Sequence, residues 1–216
     1  MATANVLAFD PALALRHLRR ADPVLAGLMR RTRRFSIEPR ATQSLYAALV
    51  ESIVYQQLSG KAAATILGRV RGIYAPKRFP TPQDILDTPD ERLRAAGLSR
   101  AKTAALKDLA THTISGTVPT LARVRRMPDD EIVERLTTVR GIGRWTVEML
   151  LMFRLGRPDV LPVADLGVRK GFQIVYGLDD LPTPAQLTGH AERWRPYRSV
   201  ASWYMWRVQD APDGRG

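Results

Sequence analysis

The 216-residue chain contains no cysteine and only three histidines. The first absence excludes disulfides, thiolate catalysis, iron–sulfur clusters and cysteine-ligated zinc. The second leaves no histidine cage for a metal, because His17, His112 and His190 are scattered without ligand spacing and read as ordinary surface or core residues. Long hydrophobic runs are missing too, so no membrane-spanning segment is expected. The N-terminal "NVLAF" is a poor signal peptide: it is short, Asp10 and Pro11 interrupt it, and no basic residue precedes it. A cytoplasmic protein is expected, associated with the nucleoid if the source is bacterial. Strand-like alternation, low-complexity tracts and repeats of fixed period are also lacking.

What the chain does have is positive charge. Lysine and arginine number 33 against 21 acidic residues, a net charge of +12 that suggests a polyanionic partner. A solvated basic surface without a partner is the alternative. The basic residues form no single tail, so any partner meets a folded surface. A chain of this length can bury a sizeable core as one domain or two closely packed lobes.

Helix-start punctuation recurs. Asp10-Pro11, Asp22-Pro23, Thr81-Pro82, Thr88-Pro89 and Thr183-Pro184 each pair an N-cap residue with proline at the first helical position, and Asp84 and Glu91 are expected at the third. Apolar residues at helical spacing follow, as in Leu45, Leu49, Ile53 and Val54, or Leu106, Leu109 and Ala110. The fold class expected is all-α. Asp129 or Asp130 can cap a helix through Ile132, Val133 and Leu136, and another helix runs from about Arg144 through Val147, Leu150, Leu151 and Phe153.

Between those two helices lies "TVRGIG". Gly141 and Gly143 permit a sharp turn and close approach of another molecule, and successive amides running into a helix N-terminus favour an anion. Arg140 and Arg144 add charge beside it. A tight helix-helix connection that needs glycine would look similar. About twenty residues on, Asp165 stands in the apolar run "LPVADLGVRKG", where it reads as an N-cap or as chemistry; the two roles are compatible.

The motifs "LTTVRGIGRWTVEML" and "LPVADLGVRKG" together resemble the helix-hairpin-helix and catalytic-aspartate signature of the base-excision DNA glycosylase superfamily, within it most closely the 3-methyladenine DNA glycosylase II group. The likeness extends to "ALVESIVYQQLSGKAAATI", "GLSRAKTAALKDLA" and "AERWRPYRSVASWYMW", about residues 42–209. It implies a two-lobed helical fold, with the hairpin in a lobe of about residues 50–155 and the chain ends forming the other lobe of a single module. Longer bacterial members carry an additional N-terminal β-domain, and with only about forty residues before the similarity begins, the compact form is expected here.

The resemblance implies that Arg140, Gly141, Gly143, Arg144 and Thr146 grip the DNA backbone. It also implies that carbonyls of Thr137, Val139 and Ile142 can hold a sodium or potassium ion, with no cofactor needed for the chemistry. Where lyase members carry a nucleophilic lysine this chain has Trp145, and an indole cannot form a Schiff base. Lys170 lies past the aspartate and reads as a phosphate contact or a solvated charge. Asp165 matches the catalytic aspartate, stabilising an oxocarbenium-like transition state or activating water. Glycoside hydrolysis commonly uses two carboxylates. The nearest second one, Glu148, reads as a charge at the exposed edge of its helix. An alkylated purine is already cationic and leaves without a general acid, so one aspartate suffices. Trp145 and Trp206 match the pocket aromatics that suit a cationic base, whereas Trp203 and Tyr204 read as core. A flipped-out base leaves a gap that Gln57 or Leu58 would fill, Leu58 being favoured as an apolar wedge; Ser59 as the cap of a helix is the plainer reading of that turn.

The expected function is monofunctional excision of alkylated bases, of the 3-methyladenine and 7-methylguanine type, from double-stranded DNA by a monomer. The alternatives are a glycosylase for etheno or deaminated bases, or a non-catalytic DNA-binding module.

Overall fold

Aspartate or threonine followed by proline opens four helices in the way the sequence predicts. In the computed structural model, which describes residues 7–32, 34–40, 42 and 44–208, the side chains of Asp10, Asp22, Thr81 and Thr183 each accept a bond from a first-turn amide. Each such cap contributes about 1 kcal/mol. Asn5 and Val6 of the N-terminal stretch lie outside the described residues.

The described residues contain helices and no strand. In chain order these are α1 (Pro11–Ala21), α2 (Pro23–Arg31), α3 (Leu45–Tyr55), α4 (Gly60–Gly72), α5 (Pro82–Asp87), α6 (Asp90–Ala95) and α7 (Arg100–Ile114). There follow α8 (Leu121–Val124), α9 (Asp129–Thr137), α10 (Arg144–Phe153), α11 (Leu166–Tyr176), α12 (Pro184–Ala191), a 3-10 turn at Glu192–Trp194, and α13 (Arg198–Trp206).

Two expected helix starts differ in detail. Thr88 does not cap α6: its hydroxyl donates back to the Asp84 carbonyl of α5 and pairs with the Tyr74 hydroxyl, so it closes one helix instead of opening the next. Pro89 takes the N-cap position of α6, and Glu91 falls at its second residue, not its third. Likewise Pro128 precedes α9, and Asp129 and Asp130 sit inside its first turn, where a carboxylate suits the exposed amides.

The chain divides into two compact units. Of the described residues, those from 42 to Val147 form one; the other combines those up to Arg40 with those from Glu148 to Val208. The first is built around α3, whose Leu45, Leu49, Ile53 and Val54 are buried, and α7, whose Leu106, Leu109 and Ala110 face that core while the helix packs against α3 and α5. In the second unit α11 lies so close to α13 that a Cβ on Gly171 would fall on the Met205 carbonyl. Only glycine allows that approach.

The second unit is tied together by Asp22, buried to 1 % exposure. Besides capping α2 at the Leu25 amide, its carboxylate accepts bonds from the Tyr176 hydroxyl (2.6 Å), Trp194 Nε1 (2.9 Å) and His190 Nε2 (3.1 Å). Burial alone would push the Asp22 carboxyl up, but these donors, Tyr176 first, outweigh it and hold the group below its ordinary value. Burial lowers the pKa of His190 in turn, against the opposing pull of Asp22.

Candidate nucleic-acid interface and active site

The hairpin connects α9 to α10 within one tight turn. Val139 and Ile142 are buried and bonded to each other, the Ile142 amide donating to the Val139 carbonyl at 3.0 Å, so their side chains anchor the loop. Arg140, Gly141, Gly143 and Arg144 are exposed. Gly141 has φ +78, in the left-handed region, whereas Gly143 does not need its freedom of φ and a Cβ there would meet nothing within 4 Å. The first residue bends the chain and the second leaves room.

At the start of α10 the Val147 amide donates to the Gly143 carbonyl, which makes Arg144, Trp145 and Thr146 the first-turn residues. These residues lie at the positive end of the helix dipole. Thr146 itself is buried, so it can offer a backbone amide to an anion but not an exposed side chain. At the other end of the hairpin, Thr137 closes α9, and carbonyls in a helix's last turn are left without intrahelical partners. The sequence-derived set Thr137, Val139 and Ile142 lies along this stretch, where the Val139 carbonyl already accepts the Ile142 amide. Among the described residues no group of three or more His, Cys, Asp or Glu side chains could hold a metal.

Two further contacts brace the hairpin. The Arg140 amide donates to Asp108 Oδ2 of α7 at 2.7 Å, and the Gly141 carbonyl accepts from Gln56 Nε2 at 2.8 Å. Gln56 begins the turn that holds the two plug candidates. Gln57 stands there with φ +56, the sole non-glycine residue with positive φ among those described, and Leu58 beside it is 39 % exposed. Ser59 caps α4 through the Ala62 amide.

Trp145, 49 % exposed on the first turn of α10, belongs to this same unit. Glu148, one turn further on, is buried to 5 %, which corrects its reading as a charge on an exposed helix edge: the apolar stripe of α10 continues through its position.

The second unit holds Asp165. A turn from Pro162 to Asp165 delivers it to the N-cap of α11, where Oδ1 accepts the Val168 amide at 2.8 Å. The same oxygen accepts Trp206 Nε1 at 2.8 Å. That second bond depends on Gly167: a Cβ there would lie 2.8 Å from the Trp206 ring, so glycine at this position lets the indole reach the carboxylate. The Phe153 ring lies against Trp206 at a centroid distance of 5.9 Å. The segment before Asp165 is secured at the start of α13, where Arg198 grips Asp159 through Nε (2.6 Å) and Nη2 (2.9 Å) and Ser199 receives the Val160 amide. Trp203 and Tyr204 are buried core residues, as read from the sequence. Lys170 is exposed on α11.

Sequence reasoning passed over Gly167 and Gly171, which set the approach of α13, and it gave Gln56, Lys102 and Asp108 no role. The i, i+4 spacing of the two glycines was the available signal for close helix packing.

A hairpin that offers helix-start amides between arginines, in a chain that also presents an indole-held carboxylate at a helix N-cap, defines the helix-hairpin-helix class of base-excision proteins. The model of the HhH-GPD superfamily of base excision DNA repair proteins matches residues 50–196, and the chain belongs to that superfamily. DNA-3-methyladenine glycosylase 1 of Schizosaccharomyces pombe is 42 % identical over 168 residues, covering 78 % of this chain and 74 % of that protein. The solved structure of an S. pombe 3-methyladenine DNA glycosylase in complex with abasic DNA superposes with a TM-score of 0.79 at 37 % identity, covering 94 % of this chain and all of the other. That of a DNA-3-methyladenine glycosidase from Bacillus halodurans gives 0.81 at 32 % identity, covering 94 % and 91 %.

Proposed function

We propose that this chain hydrolyses the N-glycosidic bond of alkylated bases of the 3-methyladenine and 7-methylguanine type in duplex DNA, leaving an abasic site without cutting the backbone. The observation that carries this is Asp165, whose Oδ1 takes two N–H donors, the Val168 amide and the Trp206 indole. Both donors fix the orientation of the carboxylate. Negative charge held in this way opposes the positive charge that develops on the sugar as the bond breaks. A methylated purine supplies a neutral leaving base, so the departing electron pair needs no proton from a second carboxyl. Water then adds to the sugar, and Asp165 is placed to accept its proton.

Trp206 offers a π face to a cationic base and, through Nε1, holds the carboxylate, so one side chain serves both pocket and catalysis. Trp145 stands where a lyase would need an amine, which supports hydrolysis alone. The first-turn amides of α10, with Arg140 and Arg144, take the phosphate backbone. An ion held by the carbonyls of Thr137, Val139 and Ile142 would join a phosphate to that loop. Of the two plug candidates, Gln57 is favoured over Leu58, because a non-glycine residue held at φ +56 is strained by about 1–3 kcal/mol and such strain gathers at functional positions. This revises the preference drawn from the sequence, where only polarity could be weighed.

The test is base release from methylated duplex DNA by the wild type and by Asp165→Asn, with strand breaks scored before and after alkali. Release by the wild type, reduced at least about 100-fold in the variant, with breaks only after alkali, is the expected result. Salt-sensitive binding without release by either protein would leave a DNA-binding module, and breaks without alkali would overturn the assignment of Trp145.

A further inference from the structure

Lys102 occupies an unfavourable place. It is the third residue of α7, whose first turn contains no acidic residue, so its ammonium sits at the positive end of the helix dipole. Burial lowers its pKa as well. The compensation is specific: Nζ donates to the Val54 carbonyl at 2.7 Å and to the Gln56 carbonyl at 2.8 Å, closing the C-terminal end of α3, where the dipole is negative. Gln56, held by its carbonyl, sends its side-chain amide to the Gly141 carbonyl of the hairpin at 2.8 Å. One turn along α7, the Ala105 methyl lies 3.3 Å from where a Cβ on Gly141 would stand, and Asp108 receives the Arg140 amide at 2.7 Å. Residues 102, 105 and 108 thus form one stripe of α7 that touches the 56–58 turn at one end and the hairpin at the other.

We infer that Lys102 is a positioning residue, locking the plug turn to the hairpin through Gln56 so that base-gap filling and backbone grip meet the duplex in a single register. The inference rests on reading the 56–58 turn as the plug and the hairpin as the backbone grip. Lys102 touches no substrate in this account. It acts through two carbonyls, and an error of about 1 Å in the turn is enough to misplace a flipped base by a catalytically costly amount.

The experiment uses the full chain and duplexes carrying 2-aminopurine next to a methylated purine, whose fluorescence rises when the neighbouring base leaves the stack. Lys102→Met, Lys102→Arg and Gln56→Met are compared with the wild type for binding to undamaged duplex, for that fluorescence rise and for single-turnover base release. Expected for Lys102→Met is wild-type binding of undamaged duplex with the fluorescence rise lost and release slowed about 10- to 100-fold, and partial recovery in Lys102→Arg, which keeps two donors. Gln56→Met, which leaves Lys102 in place, moves in the same direction and carries the test should Lys102→Met fail to fold. Wild-type fluorescence and release in both Lys102→Met and Gln56→Met overturn the inference, as does a loss that merely follows weakened binding of undamaged duplex. Gln57→Ala and Leu58→Ala separate the two levels. If neither alters the fluorescence rise, the plug reading itself fails; if one abolishes it while Lys102→Met and Gln56→Met do not, only the link fails.

Discussion

At the scale of single residues, two carboxylates of the second unit show opposite uses of the same chemistry. Asp165 is half-buried at a helix N-cap, with donors gathered on one oxygen. Asp22 is almost fully buried, and four donors surround it. The second arrangement has a consequence for acid stability. In the folded protein both Asp22 and His190 bind protons less readily than their ordinary values of 3.8 and 6.5 imply. Stability from this cluster is therefore complete above about pH 6.5 and is lost as pH falls, first where the unfolded chain protonates His190 and then below about pH 4 where it protonates Asp22. Thermal melts should show the midpoint dropping between pH 7 and 5, and His190→Gln should flatten that portion while keeping the steeper loss below pH 4. A wild-type midpoint constant from pH 7 to 5 would refute the assignment to His190.

At the scale of elements, the hairpin's two glycines answer different demands. Gly141 turns the chain at φ +78 with Ala105 close by, whereas Gly143 keeps open space. Gly141→Ala must adopt a left-handed conformation at a cost of about 1–2 kcal/mol and push against Ala105, so both the melting temperature and duplex binding should fall. Gly143→Ala should leave the unfolding free energy within about 0.5 kcal/mol of the wild type, because nothing in the chain opposes its methyl, and yet weaken duplex binding where the phosphate must approach. Equal losses of stability in the two variants would show that both glycines serve the turn alone. The same logic operates on α11, where Gly167 and Gly171 admit α13 and so bring Trp206 to Asp165.

At the scale of the whole molecule, the net charge of +12 and the hairpin carbonyls predict two separable ion effects on DNA binding. The bulk charge makes affinity fall with total salt whatever the cation, since released counterions drive association. A cation held by Thr137, Val139 and Ile142, as proposed above, would add dependence on which cation is present. Replacing potassium by a large organic monovalent cation at constant ionic strength should therefore weaken duplex binding, and identical affinities in the two salts would remove the ion from the hairpin. No helix among the described residues is long and apolar enough to cross a membrane.

Much of the helical framework follows from local rules acting over one or two turns: proline behind Asp10, Asp22, Thr81 and Thr183, apolar spacing on α3 and α7, and the glycine punctuation of the hairpin. Asp165 as an N-cap was legible for the same reason, because a cap is satisfied by an amide three residues away. Thr88 and Glu148 were misread because packing decided them: Thr88 turns back to Asp84 and Tyr74, and Glu148 is buried although its helix carries it among apolar neighbours. Long-range contacts that no periodicity encodes were left to the tertiary structure. Trp206 reaches Asp165 across 41 residues, Lys102 reaches Gln56 and Val54 across 46 and 48, and Tyr176 reaches Asp22 across 154. The sequence by itself determined the helices, their caps and the type of chemistry its motifs allow, since those depend on neighbours along the chain. Only the fold decided which donors surround each carboxylate and what braces the hairpin, because hydrogen bonds between distant residues exist only once packing has brought them within about 3 Å.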